Sequence, residues 1–160
     1  MNDLKEKINS ILASVYDPEI PVLSIIDLGI VRDITTENNA INIMITPTYS
    51  GCPAMDVIST SIRFALLEHG FTNCNIQLVL SPAWSTDWIT ENGKKQLLAY
   101  GIAPPIGKQI NEEYLENLSV PCPQCQSTNT ALVSQFGSTA CKALFKCLDC
   151  KEPFDYFKCH

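Results

Sequence analysis

Two Cys-x-x-Cys knuckles, Cys122-Pro123-Gln124-Cys125 and Cys147-Leu148-Asp149-Cys150, constrain this chain more than any other feature, with residues 126–146 between them. At that spacing two tight turns close four thiolates around one tetrahedral ion, the arrangement of structural zinc. The segment 121–160 is too short to be held by its own apolar core. Metal binding, worth on the order of 10–16 kcal/mol in comparable small domains, supplies what such a core lacks. The expectation is one structural Zn2+ per chain on Cys122, Cys125, Cys147 and Cys150. Two disulfides in a secreted scaffold are the competing assignment.

The remaining 120 residues have room for one ordinary domain. Hydrophobic residues make up 46% of the chain and mean hydropathy is near zero, which fits a folded, water-soluble protein. No run approaches twenty apolar residues, so no membrane span is expected. The start, Met1-Asn2-Asp3-Leu4-Lys5-Glu6-Lys7, lacks the pattern of a signal peptide. Eight cysteines without an export signal point to a reducing compartment, and the expected setting is cytoplasmic. Residues 1–120 carry seven Lys/Arg against fourteen Asp/Glu, and residues 121–160 carry four against three. Lys142, Lys146, Lys151 and Lys158 are interspersed with Asp149, Glu152 and Asp155 rather than clustered, which disfavours nucleic acid and favours protein partners.

Periodicity predicts a helix over Asp3–Tyr16, with Leu4, Ile8, Ile11, Leu12 and Val15 on one face, stopped at Asp17-Pro18. Strand-like runs Ile30–Thr36 and Ile41–Thr46 follow, joined as a hairpin around Glu37-Asn38-Asn39. A second helix should run to about His69 with Val57, Ile58, Ile62, Ala65 and Leu66 inward and Gly70 just past its end. A third strand, Asn75–Leu80, and a helix over Thr90–Tyr100 complete an α-β-β-α-β-α order. The fold class is α+β: a small domain with a three-stranded sheet, then a small β-rich zinc ribbon. The expected division is a domain over 1–103, a linker over 104–120 that includes a polar helical turn at Asn111–Asn117, and the ribbon over 121–160.

Cys52 is the sharpest feature of the first domain. It precedes Pro53 at the start of a helix, where free backbone N–H groups and the helix dipole should favour thiolate. A buried thiol packed as a small apolar residue is the bland alternative. Asp17, Glu19 and Asp27 could flank a metal or a partner surface, but such residues are more often solvated turn formers. Cys74 is expected to be an ordinary semi-buried thiol, and His69 to serve the C-terminal end of its helix. Trp84 and Trp88, four apart, would share a face if helical. Cys141 is either a core thiol or an additional thiol ligand, and Cys159 and His160 have no assigned role.

The runs Asp17-Pro18-Glu19-Ile20-Pro21, Asp27-Leu28-Gly29-Ile30-Val31 and Thr46-Pro47-Thr48-Tyr49-Ser50-Gly51-Cys52-Pro53 resemble the iron–sulfur assembly domain of SufT-like and cytosolic iron–sulfur targeting proteins, from about residue 8 to 103. With the C-terminal runs Phe136-Gly137-Ser138-Thr139-Ala140-Cys141-Lys142-Ala143-Leu144 and Glu152-Pro153-Phe154-Asp155-Tyr156-Phe157-Lys158, nearly the whole chain is similar to the PaaD family, the D components of bacterial phenylacetyl-CoA epoxidase systems. The resemblance implies a non-enzymatic accessory or maturation role in aerobic phenylacetate degradation, beside subunits that carry the di-iron oxygenase and the flavin/iron–sulfur reductase. Those reductase and oxygenase subunits are the implied partners. It maps the functional position onto Cys52, as a ligand in binding or transferring a transient iron–sulfur cluster, and gives Cys141 some weight without a role. One thiolate cannot enclose a cluster that takes four ligands, so a homodimer sharing Cys52 thiols, an external thiol or the recipient protein must complete the shell. The sequence agrees in lacking a Glu-x-x-His di-iron pair and a Gly-rich dinucleotide fingerprint. A structural component held within the oxygenase complex and an iron-containing electron carrier are the alternatives.

Overall fold

The computed structural model describes residues 2–49, 51–106 and 112–158. The chain forms two compact units, 1–93 and 94–160.

The first unit opens with α1 (Asn2–Leu12), whose Ile8, Ile11 and Leu12 are buried. The helix stops short of the predicted Tyr16. The Ser14 hydroxyl donates to the Ile11 carbonyl at 2.6 Å, and the Ser14 and Val15 N–H groups bond three residues back, to Ile11 and Leu12. That tightened turn leads into extended backbone, where Tyr16 bridges Ser24 and folds the loop 17–23 back on itself. A one-turn helix α2 (Ile25–Leu28) follows, capped by the Ser24 hydroxyl and closed by Gly29 at φ +78°.

The sheet has the order β1-β2-β3 over β1 (Val31–Glu37), β2 (Ala40–Ile45) and β3 (Cys74–Leu78). Asn38 and Asn39, both at positive φ, make the two-residue hairpin turn between β1 and β2, a conformation asparagine tolerates. Ile41, Ile43 and Ile45 are buried, as their alternation predicts. The helix α3 (Ala54–Glu68) crosses over to β3, which runs parallel to β2. Its Ile58, Ile62 and Leu66 face the core at helical spacing, but Val57 points outward and is 51% exposed. Val57 lies one residue, about 100° of helix, off the apolar stripe that Ile58 and Ile62 define.

Trp84 and Trp88 do not share a helical face: only Thr86–Trp88 form a 3-10 turn, and Trp84 precedes it. Trp84 is buried and donates its indole N–H to the Leu28 carbonyl at 3.0 Å. Trp88 lies under the Arg32 guanidinium, 3.8 Å from the ring centroid. A Cβ on Gly29 would stand 2.3 Å from the Trp88 carbonyl oxygen, so only glycine fits there. Helix α4 (Glu91–Tyr100) begins in the first unit and ends in the second.

The second unit is a four-stranded sheet of order β4-β7-β6-β5, from β4 (Ile102–Ala103), β5 (Thr130–Ser134), β6 (Lys142–Cys147) and β7 (Pro153–Phe157). Pairing of Ile102 and Ala103 with Asp155 and Tyr156 carries this sheet back to residue 102. Helix α5 (Glu112–Asn117) and the residues after it put Leu115 and Val120 into the same core as Phe145, Phe154 and Tyr156. Phe145 stacks on Phe154 at 5.9 Å and meets Tyr156 edge-on at 5.6 Å. Burying each such ring contributes about 1.5–3 kcal/mol, a small core for a unit of this size.

Candidate functional site

The two knuckles fold alike. Gln126 and Lys151, each just after the second cysteine of its pair, take positive φ and turn the chain back. The Gln126 N–H bonds the Cys122 carbonyl, and the Cys122 N–H bonds the Ser127 carbonyl, both at 2.9 Å. In the other knuckle the Cys147 N–H bonds the Glu152 carbonyl at 2.9 Å and the Cys150 N–H reaches the Cys147 Sγ at 3.4 Å.

These turns bring the Sγ atoms of Cys122, Cys125, Cys147 and Cys150 within 4.8 Å of one another. Cys122 and Cys150 are 3.7 Å apart, and Cys125 and Cys147 are 3.6 Å apart. A tetrahedron with zinc–sulfur bonds of about 2.3 Å has edges of about 3.8 Å, whereas a disulfide would need about 2.05 Å. The donor set therefore fits one four-coordinate ion. Asp149 ties the knuckles together: its carboxylate accepts hydrogen bonds from the Ser127 hydroxyl and, at 2.9 Å, from the Asn129 amide, and both hold its carboxyl below the usual range.

Protonation is uneven across the four. The Cys150 backbone N–H leads a set of hydrogen bonds that lower the Cys147 thiol to about 7. Cys150 is pushed up to about 12: the Glu152 N–H pulls it down, but burial and the thiols of Cys147, Cys122 and Cys125 prevail. Negative charge placed on one sulfur resists charge on the next, which a bound cation removes.

Cys52 is not one of these four thiols. It is half-buried, just before Pro53, which caps α3. The expectation of a favoured thiolate is overturned, because burial raises its pKa. Hydrogen bonds from the Ala54 N–H and the Tyr49 side chain pull the other way, and the carboxylates of Glu19 and Asp17 add to the rise. Asp17 and Glu19 lie in the folded-back loop; the Asp17 Oδ1 accepts the N–H groups of Glu19 at 2.7 Å and Ile20 at 3.1 Å. That carboxylate thus forms the turn and also adds a small share to the rise at Cys52. Nothing in the local sequence around Cys52 announces this, since the loop lies more than thirty residues away.

Asp27 belongs to the scaffold. Its Oδ1 accepts the Thr90 hydroxyl at 2.6 Å and its Oδ2 the Asn92 amide at 2.9 Å, while the Thr90 hydroxyl takes the Gly93 N–H at the start of α4. Cys74 is a half-buried thiol at the beginning of β3, and His69 bonds the Ala65 carbonyl through Nδ1 at 2.8 Å. Cys141 is buried, with its sulfur 3.0 Å from the Thr139 hydroxyl, and is not among the four gathered thiols. Cys159 and His160 lie outside the described residues. Among the described residues no helix is long and apolar enough to cross a membrane.

Family models match both parts of the chain: an iron–sulfur cluster assembly protein domain over residues 5–74 and a PaaD zinc beta ribbon domain over residues 108–158. A protein of Escherichia coli K12, provisionally named as the D component of 1,2-phenylacetyl-CoA epoxidase, is 49% identical over 150 residues, 94% of this chain and 90% of that protein. The chain belongs to the PaaD family. An Fe-S protein maturation auxiliary factor of Porphyromonas gingivalis is 32% identical over 95 residues, covering 58% of this chain and 90% of that one. Among solved structures, a DUF59 domain of unknown function from Bacillus anthracis superposes with a TM-score of 0.57 at 28% identity, over 60% of this chain and 92% of its own. The match to a PaaD-family relative along nearly the whole chain bears out the resemblance read from the motifs, and the α+β fold with a three-stranded sheet is borne out with it.

Proposed function

We propose that this PaaD-family chain is a non-catalytic maturation factor of a phenylacetyl-CoA epoxidase in aerobic phenylacetate degradation, acting in the cytoplasm. It assists insertion of an iron–sulfur cluster, or of iron, into the reductase or oxygenase subunit. Cys52 is the transfer ligand, and the ribbon, held by zinc on Cys122, Cys125, Cys147 and Cys150, is a rigid docking piece. The observation that carries this reading is the setting of Cys52: one half-buried thiol whose pKa is raised by burial, with the carboxylates of Glu19 and Asp17 adding to the rise, and which is not one of the four gathered thiols. A thiol must lose its proton to ligate and regain it to let go. A raised pKa therefore suits a group that passes metal on, where the ribbon's converging thiols suit one that keeps it. The names of relatives, a maturation auxiliary factor and an epoxidase component, support the same role. When bound, zinc supplies a cross-link between the knuckles. The cluster is cargo, and its remaining ligands come from a second chain, an external thiol or the client.

The test is anaerobic purification of wild type and Cys52→Ser, with zinc, iron and sulfide measured per chain and the visible spectrum recorded. Zinc in both, with iron and sulfide only in wild type, is the expected result. Zinc in both and no iron in either after reconstitution would sink the carrier role in favour of a structural docking component. A reversible visible chromophore that survives Cys52→Ser would place iron in the ribbon and make the chain an electron carrier.

A further inference from the structure

In the second unit, the stretch that the sequence marks as the approach to a linker is fastened to the ribbon. Ile102 and Ala103 are buried and pair in parallel with Asp155 and Tyr156 of β7. Pro104 and Pro105 follow, and neither has an N–H, so β4 cannot continue the pairing through its own backbone donors. Ile106 brings the next N–H. The Tyr156 hydroxyl accepts it at 3.0 Å and donates its own proton to the Ile106 carbonyl at 3.1 Å. One phenol thus holds both backbone groups of a residue fifty positions away. Tyr156 is itself fully buried, with its ring edge-on to Phe145. It shares one small core with Ala103 and with Cys122 and Cys147, two of the four gathered thiols. The seat of residues 102–106 and the inner side of the metal site are therefore built from the same side chains.

We propose that residues 102–106 are a zinc-dependent latch on the ribbon, fastened while the four thiols hold the ion and freed when it is lost. The inference rests on zinc filling the ribbon, as proposed above. A core this small depends on the metal cross-link to stay closed. When the knuckles part, Cys122 and Cys147 leave that core, Tyr156 loses its packing, and its hydroxyl is no longer held at Ile106. The chain entering the ribbon is thus fixed in the loaded protein and slack in the metal-free one. Pro104 and Pro105 keep the freed segment extended, so little order is lost and refastening is cheap. Coupling of this kind is reciprocal: fastening the latch must in turn tighten zinc binding, although Tyr156 is not a ligand.

Amide hydrogen exchange on the full chain, zinc-loaded and after removal of the metal by a chelator, tests the latch. The Ile106 N–H should be protected in the loaded chain and exchange at the rate of an open chain without metal, while the amides of β2 stay protected in both. Tyr156→Phe keeps the ring in the core and removes only the hydroxyl. It should still bind one zinc, yet speed exchange at Ile106 by about tenfold or more. In competition against a chelator it should weaken zinc by about threefold to tenfold. Ile106→Pro removes the N–H at an exposed residue outside the core and should weaken zinc in the same direction. Combined with Tyr156→Phe, it should cost less than the two losses multiplied together. Protection at Ile106 that survives zinc removal, free exchange there with zinc bound, or faster exchange with unchanged zinc affinity overturns the proposal. These results with zinc bound in wild type remove the latch alone. A wild-type chain that refuses zinc on reconstitution overturns the zinc reading as well.

Discussion

The ribbon thiols and Cys52 are the same functional group in opposite surroundings. In the ribbon, two turns aim backbone N–H groups at sulfur and bring four sulfurs within 4.8 Å; charge is favoured on Cys147 and resisted on Cys125 and Cys150 until one ion is shared by all four. At Cys52 one sulfur is half-buried, and its burial, with the carboxylates of Glu19 and Asp17 adding a little, resists charge. Retention needs convergence and an enclosing shell, while transfer needs a ligand that gives up its bond. The two environments separate those demands along one chain.

The largest predicted effect breaks the ribbon side alone. Cys147→Ser removes one ligand of four and should abolish zinc binding, with a loss on the order of 10 kcal/mol of metal-coupled stability in that unit. Metal analysis should show no zinc, and NMR should show collapsed amide dispersion for residues 112–158. Native dispersion there without metal would mean that the aromatic core of Phe145, Phe154 and Tyr156 holds the ribbon unaided.

A pH series sharpens the contrast next. Cys147 is lowered from 9.0 to about 7, so the stability its thiolate lends the metal-free ribbon is present above 9.0 and lost as pH falls through about 7. Cys150 is raised from 9.0 to about 12, so its share is present below 9.0 and lost as pH rises through about 12. Zinc binding expels the protons still held, so between about pH 8 and pH 6 affinity should fall by about tenfold per pH unit for each protonated thiol. Competition against a chelator reads the slope. A flat profile would mean that the thiols are already ionised without metal.

How much of this could be read beforehand depended on how local the cause was. The gathering of the four ribbon thiols follows from knuckle spacing, and the buried Ile41, Ile43 and Ile45 follow from alternation, because each signal lies within a few residues. The charge state of Cys52 was expected with the wrong sign. A helix start argues for thiolate, but burial and the distant loop that brings Asp17 and Glu19 decide against it. By sequence Asp27 reads as the flank of a metal or a partner surface, or as a turn former; its partners Thr90 and Asn92 lie more than sixty residues on, where no periodicity reaches. Ile102 and Ala103 join the ribbon sheet through pairing with β7, a contact set by topology rather than composition.

Asp17→Asn gives the smallest and most discriminating effect. The amide oxygen can still accept the Glu19 and Ile20 N–H groups that the Asp17 Oδ1 holds, so the turn survives while its negative charge is removed. One of the two carboxylates that raise the Cys52 thiol is then gone, and its pKa should drop. With only the smallest of several causes removed, alkylation of Cys52 by iodoacetamide near neutral pH should quicken by well under the tenfold of one pKa unit. The rate–pH midpoint should move down, and ribbon zinc should be unchanged. If this thiol carries metal by releasing it, the more readily ionised variant should also retain iron longer against a chelator. Faster alkylation with unchanged iron retention would separate thiol ionisation from release and assign the exit step to the recipient's ligands.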